Sequence, residues 1–271
     1  MDAKDFSVVI IMQILKKHKK INAFIKKITI QHIIIVGSAL TAVICIVIIA
    51  SVRFKRSDTD NIKKISKIKN FKAASAQIQN EQIPIDFNAL KKINPDIYAW
   101  ITVPNTNIDY PLLRSEEEDF YLTHNAEKKK SAAGALYTQS YNSDDFTDFN
   151  TVIYGHNMIN GSMFGGLAKY RNSEYFSKNQ NIHIYTPDKV FNYRIFAAYV
   201  YNDTHILLNY SLTNIAQKVE YLEDIYSGKY GGNLREDLRV TASDKIITLS
   251  TCTSDKKERF LVQAVLVSDS Q

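Results

Sequence analysis

Cysteine is nearly absent from this chain: two residues in 271, Cys45 and Cys252. One lies in an apolar run and the other near the C-terminus, so they support no disulfide framework. Nor do Cys, His, Asp and Glu cluster at metal-ligand spacing, so no metal site is expected. Glycine is scarce, with nine residues. Those in "GSMFGG" and "YGGN" lack the strand-to-helix setting of a phosphate loop. No internal repeat is visible. These absences exclude a disulfide scaffold, a zinc module and a phosphate loop, and no cofactor is implied. One thiol remains outside the apolar run, either as an unremarkable buried residue or as a reactive group.

The N-terminal region is apolar and basic. Residues 33–52, "IIIVGSALTAVICIVIIASV", run for 20 positions without a charge, enough for one helical crossing of a bilayer. A signal peptide has a shorter apolar core nearer the N-terminus, and the earlier "FSVVIIMQIL" is too short to span. Lys4, Lys16, Lys17, Lys19, Lys20, Lys26 and Lys27 precede the run; Arg53, Lys55 and Arg56 follow it. The denser cluster before the span places the N-terminus inside and the long C-terminal part outside. The expected organisation is a cytoplasmic segment 1–32, a transmembrane helix 33–52, a polar, lysine-rich stalk 53–82 and a folded domain 83–271.

The formal net charge of +6 belongs to the membrane flanks. Residues 1–80 carry 15 Lys+Arg against 4 Asp+Glu, and the remainder carries 19 against 24. Basic flanks meet anionic lipid head groups, so nucleic-acid binding loses its main support.

From Ile83 onward the chain reads as mostly β. Asp86 is placed to cap a short helix, "FNALKKI", that Pro95 stops. Runs rich in β-branched and aromatic residues predict eight strands, at about 98–103, 107–112, 134–137, 151–154, 181–186, 190–200, 246–251 and 260–267. Few helices separate them, which indicates a barrel or sandwich. One helix interrupts, in "SLTNIAQKVEYLEDIYSG". Ile215, Val219, Leu222 and Ile225 share a face there, Ser211 or Thr213 can cap it, and Gly228 can end it. The connection between the sixth and seventh strands is therefore long, about 201–245.

Cys252 ends a strand-like run, "IITLSTC". Alternation places Ile246, Thr248, Ser250 and Cys252 on one face, with Ile247, Leu249 and Thr251 on the other. Arg259 opens the next run. If the two runs form a hairpin, roughly 4.8 Å between neighbouring strands brings the guanidinium over the sulfur. Its charge would favour thiolate over thiol, and its planar donors suit an oxyanion or a peptide carbonyl. A solvated charge at a strand edge is the competing reading.

A thiol nucleophile that cleaves an amide needs a proton donor for the leaving amine, most often histidine. His18 and His32 lie in or beside the membrane segment, and His183 sits mid-strand as a core or surface residue. His124 and His205 lie in polar loops without distinctive neighbours. His156, in "NTVIYGHNM", stands just past a strand end after Gly155, and glycine there would permit a sharp exit.

"YGHNM", together with "TLSTC" followed by an arginine seven residues on, resembles the signature of the sortases, the cysteine transpeptidases of Gram-positive surfaces. "NIDYPLL" and "SMFGGLAKY" also look like segments of that family, and the likeness covers essentially all of 83–271. The helix-bearing connection and the N-terminal anchor resemble class B. The resemblance implies an eight-stranded sortase-type β-barrel with a few helices, behind a transmembrane helix.

It also implies Cys252, His156 and Arg259 as catalytic residues. Ser250, Asp109, Leu113, Thr251 and Tyr226 are the candidates for substrate contact, with Tyr230 beside Tyr226. The implied reaction cleaves a C-terminal sorting signal after threonine through a thioacyl intermediate. The protein is then transferred to an amine of a cell-wall peptide or its lipid-linked precursor; water in place of the amine gives hydrolysis. The calcium site of class A sortases has no counterpart. A pilin-polymerising sortase of another class and a catalytically silent surface-binding barrel are the alternatives.

Overall fold

Alternating and doubly buried apolar runs close into a barrel. A computed structural model describes residues 16, 19–20, 41–47, 83–210, 212–255 and 257–270, in two units, Met1–Ser57 and Asp58–Gln271. In the first, residues 41–47 are helical and expose Val43, Ile44, Ile46 and Val47. The rest of the expected span 33–52, and the stalk 53–82, lie outside the described residues. Among the described residues no helix is long and apolar enough to cross a membrane.

The second unit contains strands β1 (Ile97–Thr102), β2 (Asp109–Arg114), β3 (Leu136–Thr138), β4 (Asn150–Tyr154), β5 (Asn181–Tyr185), β6 (Val190–Asn202), β7 (Asn233–Leu234), β8 (Ile246–Cys252) and β9 (Glu258–Ser270). The eight expected strands are all present, and the addition is the two-residue β7. The second strand starts two residues later than its pattern suggests. A turn consumes the preceding residues: Ile108 accepts from the Val103 N–H at 2.9 Å, and the Thr106 hydroxyl donates to the Val103 carbonyl at 2.7 Å.

The sheet order is β5-β1-β2-β3-β4-β8-β9-β6, and β6 pairs back onto β5 to close the barrel. Residues 190–194 of β6 make that closure, and Ala197 and Ala198, further along, hold β7. Two pairings are parallel, β2 with β3 and β4 with β8; the others are antiparallel.

Both faces of the central strands are covered, as a near-continuous apolar strand requires. Ile247 and Leu249 point into the barrel with Ile101, Ile153, Ile195 and Val262. On the outer face, helix α1 (Phe87–Ile93) covers Trp100 and Leu113. Asp86 caps it, accepting from the Ala89 N–H at 3.1 Å.

Short helices α2 (Phe120–Thr123), α3 (Ser173–Lys178) and α4 (Ile206–Asn209), and a 3-10 helix at Phe164–Arg171, fill connections. Helix α5 (Ile215–Tyr226) covers the outer face of β6, β8 and β9 through Tyr221, Leu222 and Ile225. Its cap is Asn214, which accepts from the Ala216 N–H at 2.8 Å, rather than Thr213; Ser211, the other expected cap, lies outside the described residues. Its end is at Gly228, with φ +76°, a conformation that favours glycine. Ile215 and Val219 are 71% and 39% exposed, so the helix docks by its C-terminal half only.

Candidate active site

Strands that run parallel finish at the same rim. The β4–β8 register pairs Tyr154 with Ser250. Continued two residues, that register sets His156 beside Cys252. On the other side of β8 the antiparallel hairpin pairs Cys252 directly with Arg259. The expected hairpin pairing is thus the observed one, and the Arg259 guanidinium donates to the Glu258 carbonyl at 3.0 Å.

Alternation gives the site its floor. Val152 and Tyr154 of β4, Ser250 and Cys252 of β8, and Arg259 and Leu261 of β9 all line one open cleft of about 970 Å³. The same outer face begins under α5 with Ile246, which packs against that helix's cluster. There Gln263 donates to the Thr248 hydroxyl at 2.8 Å and to Tyr221, and Thr248 donates to Asn150 at 2.8 Å. Polar residues on this face thus lie either beneath the helix, where the Thr248 hydroxyl and the Gln263 amide are paired, or open to the cleft. Cys252 is a free, exposed thiol at the open end.

His156 is held on three sides. Its Nε2 lies 2.7 Å from the Leu122 carbonyl. A carbonyl only accepts, so Nε2 carries the proton and Nδ1 is the nitrogen able to exchange one with the cleft. Its own carbonyl accepts from Phe164 at 3.0 Å and Met158 at 3.2 Å, which folds the following loop back on itself. Gly155 is not left-handed, so φ is not the reason for glycine there. A Cβ at 155 would run into the Leu136 side chain and the Phe164 ring. The requirement is close approach, a correction to the expected sharp exit.

The secondary candidates divide. Ser250 and Thr251 line the cleft and are 4% and 3% exposed. The Thr251 hydroxyl donates to the Gly155 carbonyl at 2.7 Å. Leu113 does not line it: the side chain is fully buried under α1 because its strand alternates into that second core. Asp109 accepts from Trp100 at 2.9 Å and Thr102 at 2.7 Å, and lines a separate hollow with Tyr110, Pro111 and Met163. Tyr226 also lies away from the cleft. Its hydroxyl donates to the Leu238 carbonyl at 2.6 Å and accepts from the Val240 N–H at 3.0 Å, while Arg239 stacks 4.0 Å over the ring. Tyr230 meets the Tyr210 hydroxyl at 3.0 Å and stacks on Tyr199.

Several cleft residues carried no sequence signal. Asp119, at φ +58°, accepts from the Tyr137 hydroxyl at 2.7 Å and from Gln139 at 3.0 Å. The Gln139 carbonyl faces His205 Nε2 at 2.5 Å, and the Tyr154 hydroxyl lies 3.1 Å from the same nitrogen. Burial pushes the Tyr137 and Tyr154 phenols well above their ordinary range, and Asp119 adds to this at both. Arg259 partly offsets the rise at Tyr154. Both stay neutral hydrogen-bonding groups. Burial lowers the His205 imidazole, against an upward pull from Glu118 and Asp119. Its Nδ1 is buried without a partner.

Among the described residues no group of His, Cys, Asp and Glu could hold a metal ion. The cleft offers an exposed thiol, an imidazole, a guanidinium and a neutral polar floor, the parts needed for acyl transfer through sulfur.

A family model for the sortase domain matches residues 101–267. Sortase B of Listeria monocytogenes is 32% identical over 200 residues, covering 73% of this chain and 80% of that protein. The X-ray structure of Clostridium perfringens sortase B superposes with a TM-score of 0.61 at 34% identity, over 68% of this chain and 100% of that one. A Staphylococcus aureus sortase B–substrate complex superposes with a TM-score of 0.70, over 79% of this chain and 98% of that one. At 24% identity the last is a likeness of fold.

Proposed function

This chain belongs to the sortase family as a class B cysteine transpeptidase, and on that premise we propose that Cys252, His156 and Arg259 perform its acyl transfer. The Cys252 sulfur attacks the carbonyl carbon of the threonine in a C-terminal sorting signal. The C–N bond breaks, and His156 gives the departing amine its proton. In the second half an amine nitrogen attacks the thioester, the C–S bond breaks, and His156 takes the proton from the incoming amine. The thiol is then regenerated. Arg259 holds the oxyanion or the substrate carbonyls with its planar donors. An amino group of a cell-wall peptide or its lipid-linked precursor makes the reaction a transfer; water makes it hydrolysis.

The observation that carries this reading is the register. The parallel β4–β8 pair and the antiparallel β8–β9 pair put histidine and arginine on the two sides of one exposed thiol. The enzyme acts from the outer face of the cell membrane, anchored by residues 33–52 with the N-terminus inside. The uncharged run and the denser lysines before it support that placement.

The test uses a library of sorting-signal peptides, with products and protein adducts followed by mass spectrometry. Cys252→Ala abolishes cleavage and leaves no thioacyl adduct, while the fold survives because the residue sits at an exposed rim. His156→Ala is nearly as damaging. Arg259→Lys keeps the charge but loses the fork, and costs about 10²–10³ in rate. Cleavage by Cys252→Ala overturns the proposal; wild-type rates for Arg259→Lys would leave the oxyanion to backbone N–H groups.

A further inference from the structure

We propose that Asn157 is a positioning residue that fixes where His156 stands relative to Cys252, an inference that rests on the catalytic reading above. The strand ladder between β4 and β8 ends at Tyr154 and Ser250. One further main-chain bond follows, from Gly155 N–H to the Ser250 carbonyl at 3.2 Å. Two side chains then continue the pairing past the strand ends. Thr251 donates to the Gly155 carbonyl at 2.7 Å, and the Asn157 amide donates to the Cys252 carbonyl at 2.9 Å.

These bonds bracket His156, one on each flanking residue. Asn157 binds the nucleophile's own residue, so its hydrogen bond ties the loop that carries the base directly to the backbone of Cys252. Leu122 anchors the imidazole from the opposite side. Removing the Asn157 bond leaves that anchor and the Gly155 contacts, but releases the histidine loop from Cys252. Proton transfer to the leaving amine needs the ring within hydrogen-bond reach of its target.

Asn157 is exposed, so it contributes to geometry rather than to the packed core. That separates a positioning role from a stabilising one. A displacement of about 1 Å in a reacting group costs on the order of 10²-fold in rate.

The variant Asn157→Leu keeps the approximate shape and removes the donor. With a cleavable sorting-signal peptide, kcat falls by about 10²-fold, while KM and Tm stay at wild-type values. Asn157→Gln keeps an amide donor on a longer arm and recovers part of the lost kcat. Wild-type kcat in Asn157→Leu overturns the proposal. A fall in kcat that tracks a fall in Tm in both variants overturns it too, since the role would then be stability alone. Cys252→Ala and His156→Ala run beside them. If those two retain activity, the catalytic reading itself has failed; if they are inactive and Asn157→Leu is unaffected, only the role of Asn157 falls.

Discussion

At the residue scale, the cleft contains a second histidine whose position makes a pH prediction. Burial lowers the His205 imidazole in the folded protein, so the unfolded chain takes up this proton at a higher pH than the folded one. Stability from this group is fully present above the ordinary histidine value of about 6.5 and is lost as pH falls through it toward the lower folded value. Thermal unfolding of wild type and His205→Gln between pH 7.5 and 5.5 measures it. The wild type loses more Tm over that interval than the variant, and equal slopes would remove the effect. His205 was not legible in the sequence because its partners lie 66 and 51 positions away, at Gln139 and Tyr154. Cys252, His156 and Arg259 were legible because each stands at the end of an apolar run, a signal local to a few residues. Leu113 reads as a groove residue by likeness alone, and the core under α1 claims it.

At the element scale, α5 shows what periodicity reveals and what it leaves open. The helix and its stop at Gly228 follow from spacing and from one glycine. Which residues are buried follows from the β6, β8 and β9 surface, and that surface takes Tyr221 with Leu222 and Ile225 and leaves Ile215 outside. Leu222→Ala and Ile225→Ala should each cost about 2–5 kcal/mol of stability, whereas Ile215→Ala stays within about 0.5 kcal/mol. Asn214→Ala, which removes the cap, costs about 1 kcal/mol. Urea unfolding of the four variants checks the ranking. A large loss at Ile215 would mean that the N-terminal half of the helix packs against something after all.

At the scale of the molecule, the eight strands were readable from alternation, but their closure was not. Nothing in the pattern of residues 190–202 states that one strand bonds β9 along one edge and both β5 and β7 along the other. The barrel carries its own cores on both faces of its sheet, and so should cleave peptide without the proposed anchor. Protease added to intact protoplasts should release a fragment close to residues 83–271 that retains activity. Full protection of that fragment would reverse the orientation, and release of an unfolded fragment would move the domain boundary.

The parallel pairing of β4 with β8 also sets a timetable. Cys252 and Arg259 are seven positions apart, and a turn that short closes at little entropic cost. Cys252 and His156 are joined by an intervening chain of nearly a hundred residues, and bringing its ends together costs more loop-closure entropy and time. A partly folded chain holds the thiol and the arginine without His156 beside them. On the proposed roles of these residues, transpeptidation requires that long closure, so a partly folded enzyme would be a poor catalyst against its neighbours.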